Sequence, residues 1–225
     1  MDEMSEKGVS TCRVTLHVGA GTFKPVDAAN ARDHAMHSER ISVTHQSLSL
    51  LAEASRRGRH IVPVGTTAVR TCESLYWFGV RLLMRDGVPP SARDLFVDQW
   101  DPYRLTRAAG GVHGLPAASD ALAEVLAWSQ SLPHHSPSQG GDTLLVEGHT
   151  QLMIVPGYRF ALCDLLFTNT HQPRSTLLML VAALLGSKDR LFALYDHALE
   201  RDYRFLSYGD STLLWCHPDA RLPCR

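Results

Sequence analysis

Residues 14–26 read VTLHVGAGTFKPV, a short apolar–polar alternation that runs directly into a glycine-rich turn. The alternation predicts a β-strand with at least one buried face. Gly19 and Gly21 supply positive φ angles or let a ligand approach the backbone closely, while His17 and Thr22 place polar groups beside the turn. Because ligands of open α/β folds bind beyond the carboxyl ends of the strands, this turn is a candidate site. The spacing supports equally well a loop that only turns the chain.

The composition indicates a globular protein with a sizeable core, since 44% of the 225 residues are hydrophobic. The formal net charge of −1 does not indicate a nucleic-acid binder, so any such binding needs a local basic patch. Five cysteines without a CxxC pair disfavour a zinc site and a disulfide framework, and favour the reducing cytoplasm. The charged N-terminus is not a signal peptide, and the longest apolar run, residues 177–185, is too short to span a bilayer.

A second strand–turn–helix junction lies in the sequence IVPVGTT. Ile61–Val64 predicts a strand, from which Gly65, Thr66 and Thr67 lead into a long helix. Backbone N–H groups at such a helix start bind anions or carboxylates. Either threonine as a plain N-cap is an equally good interpretation.

Two polar pairs accompany the predicted helices. His34 and His37, three residues apart with Glu39 close by, would share a helical face and have the chemistry of metal ligands, but surface histidines are the favoured interpretation and we predict no metal. Arg70 and Glu73, also three residues apart, are consistent with a surface ion pair. Between these pairs, residues 44–57 predict an amphipathic helix.

The composition changes over residues 85–149, which are rich in proline and contain paired glycines. Only residues 118–129 carry a clear amphipathic helix, so this stretch is predicted to be a partly irregular insertion. After this insertion, residues 151–155 predict a buried strand. Alternation of strands and helices then predicts an α/β fold with a mainly parallel sheet covered by helices.

The polar string at residues 168–176 precedes an apolar helix that is predicted to hold its N-terminal groups rigidly in the core. His171, with Asn169 beside it, is either functional or a capping and packing residue. Asp210 lies in an aromatic-rich turn and is either a turn cap or a site carboxylate.

Six ordered segments together resemble the C-terminal portion of the S-adenosylmethionine:tRNA ribosyltransferase-isomerase family of the queuosine pathway. The segments are VTLHVGAGTFKPV (14–26), DHAMHSE (33–39), VGTTAVRTCES (64–74), VPGYRF (155–160), TNTHQPRSTLLMLV (168–181) and YRFLSYGDSTL (203–213). The resemblance implies a barrel-like, incomplete α/β domain. It divides the chain into two parts of this domain at 1–84 and 150–217, the insertion at 85–149 and a tail at 218–225.

The resemblance also implies a reaction. Family enzymes transfer and isomerise the ribosyl moiety of S-adenosylmethionine onto 7-aminomethyl-7-deazaguanine in the tRNA anticodon loop, and epoxyqueuosine forms as adenine and methionine leave. S-adenosylmethionine is thus a substrate, and no metal is implied. The sulfonium acidifies its neighbouring 5′ C–H, so proton abstraction by a base can begin the sequence, and an acid can assist adenine departure. The titratable residues in matching segments, expected to transfer protons in roles that remain open, are His37, Glu39, His171 and Asp210.

Contacts to S-adenosylmethionine or to the RNA are expected from further residues of the same segments, with the aromatic ones stacking adenine or a splayed anticodon base. These residues are His17, Gly19, Gly21, Thr22, Phe23, Gly65, Thr66, Thr67, Arg70, Tyr158, Asn169 and Tyr208.

Two departures leave alternatives open. The family pattern has Phe between Asn and His and Leu before Pro, where this chain has Thr170 and Gln172. The family's N-terminal β-barrel and early strands have no counterpart in this sequence, so a second chain supplying them is one expectation. A non-catalytic nucleotide- or tRNA-binding paralogue, a partner subunit and a fragment of the enzyme are the others. A different reaction on S-adenosylmethionine or a nucleoside is a further alternative, which adenine release without RNA would indicate.

Overall fold

The computed structural model describes residues 2–19, 33–88, 94–132 and 145–223. In these ranges helices and strands alternate, which confirms the mixed α/β class. In chain order the elements are α1 (Asp2–Glu6), β1 (Val14–His17), β2 (Glu39–Thr44), α2 (His45–Arg56), α3 (Thr66–Met84), β3 (Leu95–Val97), α4 (Asp101–Ala108), α5 (Ala118–Ser131), β4 (Leu145–Thr150), β5 (Leu165–Asn169), α6 (Thr176–Leu184), α7 (Lys188–Glu200) and β6 (Ser211–Trp215). No helix of the described ranges combines the length and the apolarity that crossing a bilayer requires.

The strands form two sheets of mixed direction. In the larger sheet, ordered β1-β2-β4-β3, the β1–β2 and β2–β4 pairs are antiparallel and the β3–β4 pair is parallel. The smaller sheet pairs β5 with β6 antiparallel. The predicted predominance of parallel pairing is therefore not confirmed. Helical connections do not set the direction in this chain, because α4 and α5 join parallel strands whereas α6 and α7 join antiparallel ones.

The predicted strand at residues 61–64 is an extended segment that runs parallel to β5 with one ladder bridge, between Val64 and Phe167. Its backbone is nevertheless well bonded to β5 and to the residue before it. The Asp164 amide donates to the Ile61 carbonyl over 3.0 Å, the Phe167 amide to the Pro63 carbonyl over 3.1 Å, and the Gly65 amide to the Phe167 carbonyl over 2.8 Å. The segment thus fixes the start of α3 against the smaller sheet.

Helix α3 is the central element, and every residue from Val69 to Val80 is buried. It packs against β1, β3 and β4 of the larger sheet as well as against β5 and α5. The crossing with α5 is close at Gly79, where an added Cβ would lie 2.1 Å from the Ala121 carbonyl oxygen. The predicted α5 is confirmed and extends two residues further, to Ser131.

The described parts of residues 85–149 are regular and belong to the same core as α2 and α3. They contribute β3, α4, α5 and β4, and bury Leu95, Leu105, Leu122 and Val146. The strand predicted at 151–155 lies instead at Leu145–Thr150. Beyond Thr150 the chain still runs beside the continuation of β3, since the Gln151 amide donates to the Val97 carbonyl over 2.9 Å and the Met153 amide to the Gln99 carbonyl over 3.3 Å.

One face of the smaller sheet exposes apolar side chains. Phe167 on β5 pairs with Leu213 on β6, and the two side chains are 42% and 56% exposed. Trp215, two residues after Leu213, and Val64, bridged to Phe167, are 60% and 70% exposed. These four residues are called the apolar face below.

Candidate functional site

Several polar segments converge on the N-terminal end of α3. Strand β1 ends at His17, whose partner on β2 is Arg40, the neighbour of Glu39. Glu39 in turn forms an ion pair with Arg70, one turn into α3. The end of β1 therefore lies close to this ion pair. Gly19 is described and exposed after β1, whereas the predicted contacts Gly21, Thr22 and Phe23 lie outside the described residues.

The Glu39–Arg70 pair is buried. Glu39 is 2% exposed and Arg70 6% exposed, and Nη1 of Arg70 donates to Oε2 of Glu39. Among the described residues, no acceptor faces Nε or Nη2 of Arg70. Burial lowers the pKa of Arg70, while the neighbouring Glu39 carboxylate opposes this shift. The site thus holds a cation that is only partly hydrogen-bonded.

The first turn of α3 adds backbone donors to this end of the helix. Gly65, at φ +88°, is the N-cap residue, and no side chain of the described ranges caps the helix start. Thr66 and Thr67 are the first helical residues, so neither is the N-cap that the sequence also allowed. The initial N–H groups of a helix lack intrahelical acceptors and carry the positive end of its dipole. This end of α3 therefore favours an anion.

The end of β5 supplies Asn169 and His171. Burial lowers the pKa of His171, which keeps its imidazole neutral near pH 7. Its Nε2 lies 3.1 Å from the Thr168 hydroxyl, and its backbone amide donates to the Tyr195 hydroxyl over 2.7 Å. Asn169 directs its amide group at the carbonyl of Asp210 over 3.3 Å. Because Gly65 is bonded to Phe167, this segment lies next to the start of α3.

The carboxylate of Asp210 stabilises its own loop. It accepts a hydrogen bond from the Arg204 amide over 2.7 Å, and the Asp210 amide donates to the Arg204 carbonyl over 2.8 Å. These bonds close the loop in which Tyr208 is 98% exposed. The ring of Tyr208 is therefore open to stacking.

Residues 34–38 form no helix, so His34 and His37 do not share a helical face. The segment is bound by the Gln99 side chain, which donates to the His34 carbonyl over 2.6 Å and accepts from the Met36 amide over 2.9 Å. His37 is exposed. Within the described ranges, no three His, Cys, Asp or Glu side chains group as metal ligands.

Tyr158 lies in the core beneath α3, with 2% exposure. Its hydroxyl accepts from Trp77 Nε1 over 2.6 Å and donates to Glu73 Oε2 over 2.8 Å. Glu73 is fully buried, and it also accepts hydrogen bonds from the Ala161 and Leu162 amides. The expected surface pair of Arg70 with Glu73 is therefore wrong, because Glu73 faces inward and Arg70 is bonded to Glu39.

The buried position of Glu73 was not predicted, although the sequence contains a signal for it. Glu73 lies four residues from both Val69 and Trp77, on the same side of α3 as these two apolar residues. A carboxylate on such a stripe is buried and needs internal donors.

Comparisons with known proteins agree on one family. The family model described as "Queuosine biosynthesis protein" matches residues 1–98 and 127–214, well over half of the chain. The match omits residues 99–126, which form α4 and most of α5.

Curated relatives carry the name S-adenosylmethionine:tRNA ribosyltransferase-isomerase. The protein of Cereibacter sphaeroides is 36% identical over 214 residues, and that of Acinetobacter baumannii is 34% identical over 212 residues. The matches cover 95% and 94% of this chain but 44% of each relative, so the chain spans less than half of the length of the relatives it matches.

A solved structure shares the fold. The S-adenosylmethionine tRNA ribosyltransferase of Thermotoga maritima superposes with a TM-score of 0.52 and 29% sequence identity, covering 94% of this chain and 47% of that chain. The chain therefore belongs to the queuosine biosynthesis protein family.

Proposed function

We propose that this protein acts in the cytoplasm as an S-adenosylmethionine:tRNA ribosyltransferase-isomerase. It would transfer and isomerise the ribosyl moiety of S-adenosylmethionine onto the 7-aminomethyl-7-deazaguanine base in the tRNA anticodon loop, giving epoxyqueuosine. The observation that carries the proposal is the convergence of matching segments at the N-terminal end of α3. There the buried Glu39–Arg70 pair, uncapped helix amides and a neutral imidazole lie on neighbouring elements.

His171 is the proposed base. Its neutral imidazole can accept the proton that the sulfonium acidifies at the 5′ carbon, and its backbone is held by Tyr195. His37, which is exposed near Glu39, is the proposed acid for adenine departure. Glu39 orients Arg70 and Asp210 orients its loop, so these two carboxylates position other groups.

The proposed substrate contacts follow from exposure. His17, Gly19 and Thr67 are exposed around the start of α3, and Tyr208 presents an open ring for an unstacked anticodon base. The buried Tyr158 supports α3 through Trp77 and is left out of the proposed contacts.

The direct test is incubation of the purified protein with S-adenosylmethionine and tRNA that carries the precursor base. Adenine release and the modified nucleoside are followed by mass spectrometry. Formation of epoxyqueuosine supports the proposal, and adenine release without RNA indicates a different reaction. Absence of both products, with saturable binding of S-adenosylmethionine by calorimetry, contradicts catalysis and supports a binding protein.

His171→Ala separates chemistry from folding. We expect turnover to fall by at least 100-fold, since general acid–base groups contribute roughly 10²–10⁴-fold. The unfolding temperature should change little, because the Tyr195 bond uses the backbone of His171. His113→Ala, at an exposed histidine after α4, is the control and should retain activity. A loss of stability instead would support the capping and packing interpretation.

The second candidate is a non-catalytic binding protein of the same family. It is favoured by Thr170, a buried residue whose hydroxyl has no partner among the described residues, at the position where the family pattern has Phe. Calorimetry combined with the turnover assay distinguishes the two candidates.

This chain aligns with 44% of the length of its relatives. We also propose that the apolar face packs against the remaining part of the family fold, whether that part lies on this polypeptide or on a second chain. Its support is the contiguous exposure of Val64, Phe167, Leu213 and Trp215. Sedimentation of this chain with the complementary part of a relative tests the proposal. Leu213→Lys should abolish the association.

A further inference from the structure

The guanidinium of Arg70 has one nitrogen that is hydrogen-bonded and one edge whose two N–H groups have no acceptor among the described residues. Nη1 donates to Glu39, whereas Nε and Nη2 meet no acceptor among the described residues, although the side chain is only 7% exposed. Nε–H and Nη2–H point in the same direction from the planar group. They form a two-pronged donor whose spacing matches the two oxygens of a carboxylate or phosphate.

An unmatched, buried donor pair is costly to keep. A buried group without its hydrogen bond destabilises a fold by about 1–3 kcal/mol, and more when it is charged. Arg70 is moreover fixed from the other side by Glu39, so it cannot turn this edge to another acceptor without breaking a buried ion pair. These two facts indicate a group that binds a partner from outside the described residues.

The surroundings of Arg70 favour an anion. Helical side chains lean towards the helix N-terminus, so Arg70 extends over the first turn of α3, where no described side chain caps the backbone amides. Glu39 balances the charge of Arg70, and the positive end of the helix dipole then favours an incoming negative group.

We propose that the Nε–Nη2 edge of Arg70 binds the carboxylate of the methionine part of S-adenosylmethionine, an inference that rests on the proposed function. The group that this edge recognises is an anion with two oxygens, and a phosphate of the tRNA is also such an anion. Burial favours the first source, because an arginine side chain that is only 7% exposed admits the end of a small, flexible ligand more readily than a hydrated RNA backbone. Arg70 is then a binding residue that fixes one end of the substrate while the sulfonium end remains for chemistry.

Calorimetry with two ligands tests the inference on the unaltered protein. S-adenosylmethionine and its decarboxylated analogue differ by the carboxylate alone. We expect the analogue to bind at least tenfold more weakly, since it leaves both donors of Arg70 unmatched.

Arg70→Lys then assigns the effect to this side chain. Lysine keeps a positive charge for Glu39 but lacks the two-pronged edge. We expect the affinity for S-adenosylmethionine to fall at least tenfold and the affinity for the analogue to stay within twofold, so that the preference disappears. Circular dichroism checks that the variant is folded. If it is not folded, the two-ligand comparison on the unaltered protein decides alone.

Three results overturn the inference while leaving the proposed function in place. The first is that the unaltered protein binds both ligands with equal affinity, and the second is that Arg70→Lys lowers the affinity for both ligands alike. The third is that the Arg70→Lys variant binds S-adenosylmethionine normally but binds tRNA more weakly and with a shallower salt dependence. The last result assigns the edge to an RNA phosphate. Failure of the unaltered protein to bind S-adenosylmethionine at all contradicts the proposed function as well.

Discussion

Three of the buried carboxylates among the described residues each have a different set of partners. Glu39 pairs with Arg70, and Glu73 accepts hydrogen bonds from Tyr158 and from backbone amides. Asp164 accepts from the Ile61 amide and pairs with Arg221. Removing a partner of such a group costs more than the net value of the bond, because the remaining group stays buried without its bond.

Tyr158→Phe tests the network beneath α3. The substitution removes the acceptor of the Trp77 indole and a donor to Glu73, and both partners are buried. We expect the free energy of unfolding, measured in urea, to fall by about 1–3 kcal/mol. Tyr208→Phe is the control, because it deletes the same hydroxyl from a residue that is 98% exposed. It should change the free energy of unfolding by less than about 0.5 kcal/mol. Equal effects of the two substitutions would contradict the network.

The charge of Glu73 gives stability a defined pH dependence. Burial raises the pKa of Glu73 in the folded protein, and this effect exceeds the opposing effect of its hydrogen-bond donors. Between the unfolded pKa, about 4.3, and the higher folded pKa, the folded state binds the extra proton. The contribution of Glu73 to stability is therefore complete below about pH 4.3 and is lost as the pH rises through the folded pKa.

The measurement is the unfolding free energy of the unaltered protein minus that of Glu73→Gln, at several pH values. This difference should decrease as the pH rises above about 4.3, by at most about 1.4 kcal/mol per pH unit. All other titrating groups are common to both proteins and cancel. A difference that stays constant or increases with pH would show that the pKa of Glu73 is not raised.

The sequence predicted individual site residues better than their partners. Glu39 and Arg70 were both selected from matching segments, but their contact joins positions 31 residues apart and depends on how α3 crosses β2. His171 and Asn169 do lie beside the start of α3, as expected of residues that follow a strand. The roles of these residues stay predictions.

At the scale of elements, α3 determines the geometry of both the core and the site. Helices α2, α3 and α5 were predictable because apolar residues recur along each of them with the helical period. Helix α4 was not predicted, because its eight residues, DPYRLTRA, are few and mostly polar and lie in the stretch that proline and glycine interrupt. Strand β4 begins six residues before the predicted strand, because Leu145–Thr150 pairs with β2, a contact between distant segments that periodicity does not reveal.

Gly79→Ala tests the close crossing of α3 and α5. Alanine favours helices by about 1 kcal/mol over glycine, so propensity alone predicts a gain in stability. The new Cβ would lie 2.1 Å from the Ala121 carbonyl oxygen, which is backbone and cannot rotate away. We therefore expect a loss of about 2 kcal/mol or more in thermal or urea unfolding.

The control for this crossing is Ala127→Gly, at an exposed position of α5. It measures the helix propensity effect without a packing change and should cost about 0.5–1 kcal/mol. If Gly79→Ala stabilises the protein by a similar amount, the two helices are not in contact at this point.

At the scale of the whole molecule, two sheets share one helix and one apolar core. The α/β class followed from the alternation of elements, but the strand directions did not, since they depend on contacts between distant segments. The stretch 85–149 looked irregular because proline and glycine interrupt it, yet its described helices and strands fill the space beside α2 and α3. The amino-acid composition of a stretch does not predict whether its helices and strands pack into the core.

The apolar face makes a prediction about the surface of the isolated chain. Leu213→Thr places a β-branched residue, which suits a strand, in β6 and should change the unfolding free energy by less than about 1 kcal/mol, since Leu213 is 56% exposed. Binding of a fluorescent apolar dye should fall, because the substitution interrupts the exposed apolar face.

Leu50→Gln is the control for the apolar face. Leu50 is 38% exposed on α2, which packs on the larger sheet, and its replacement should leave dye binding nearly unchanged. If both substitutions lower dye binding equally, the dye reports scattered leucines and not a face.

The hydrogen bonds between residues 61–65 and β5 join segments that lie about a hundred positions apart in the chain. The amide protons of Asp164, Phe167 and Gly65 are all donated across this junction. They can exchange with deuterium only when the segment leaves the strand, which also frees the start of α3. These three amides should therefore exchange at one common slow rate, and a ligand bound at the end of α3 should slow them together.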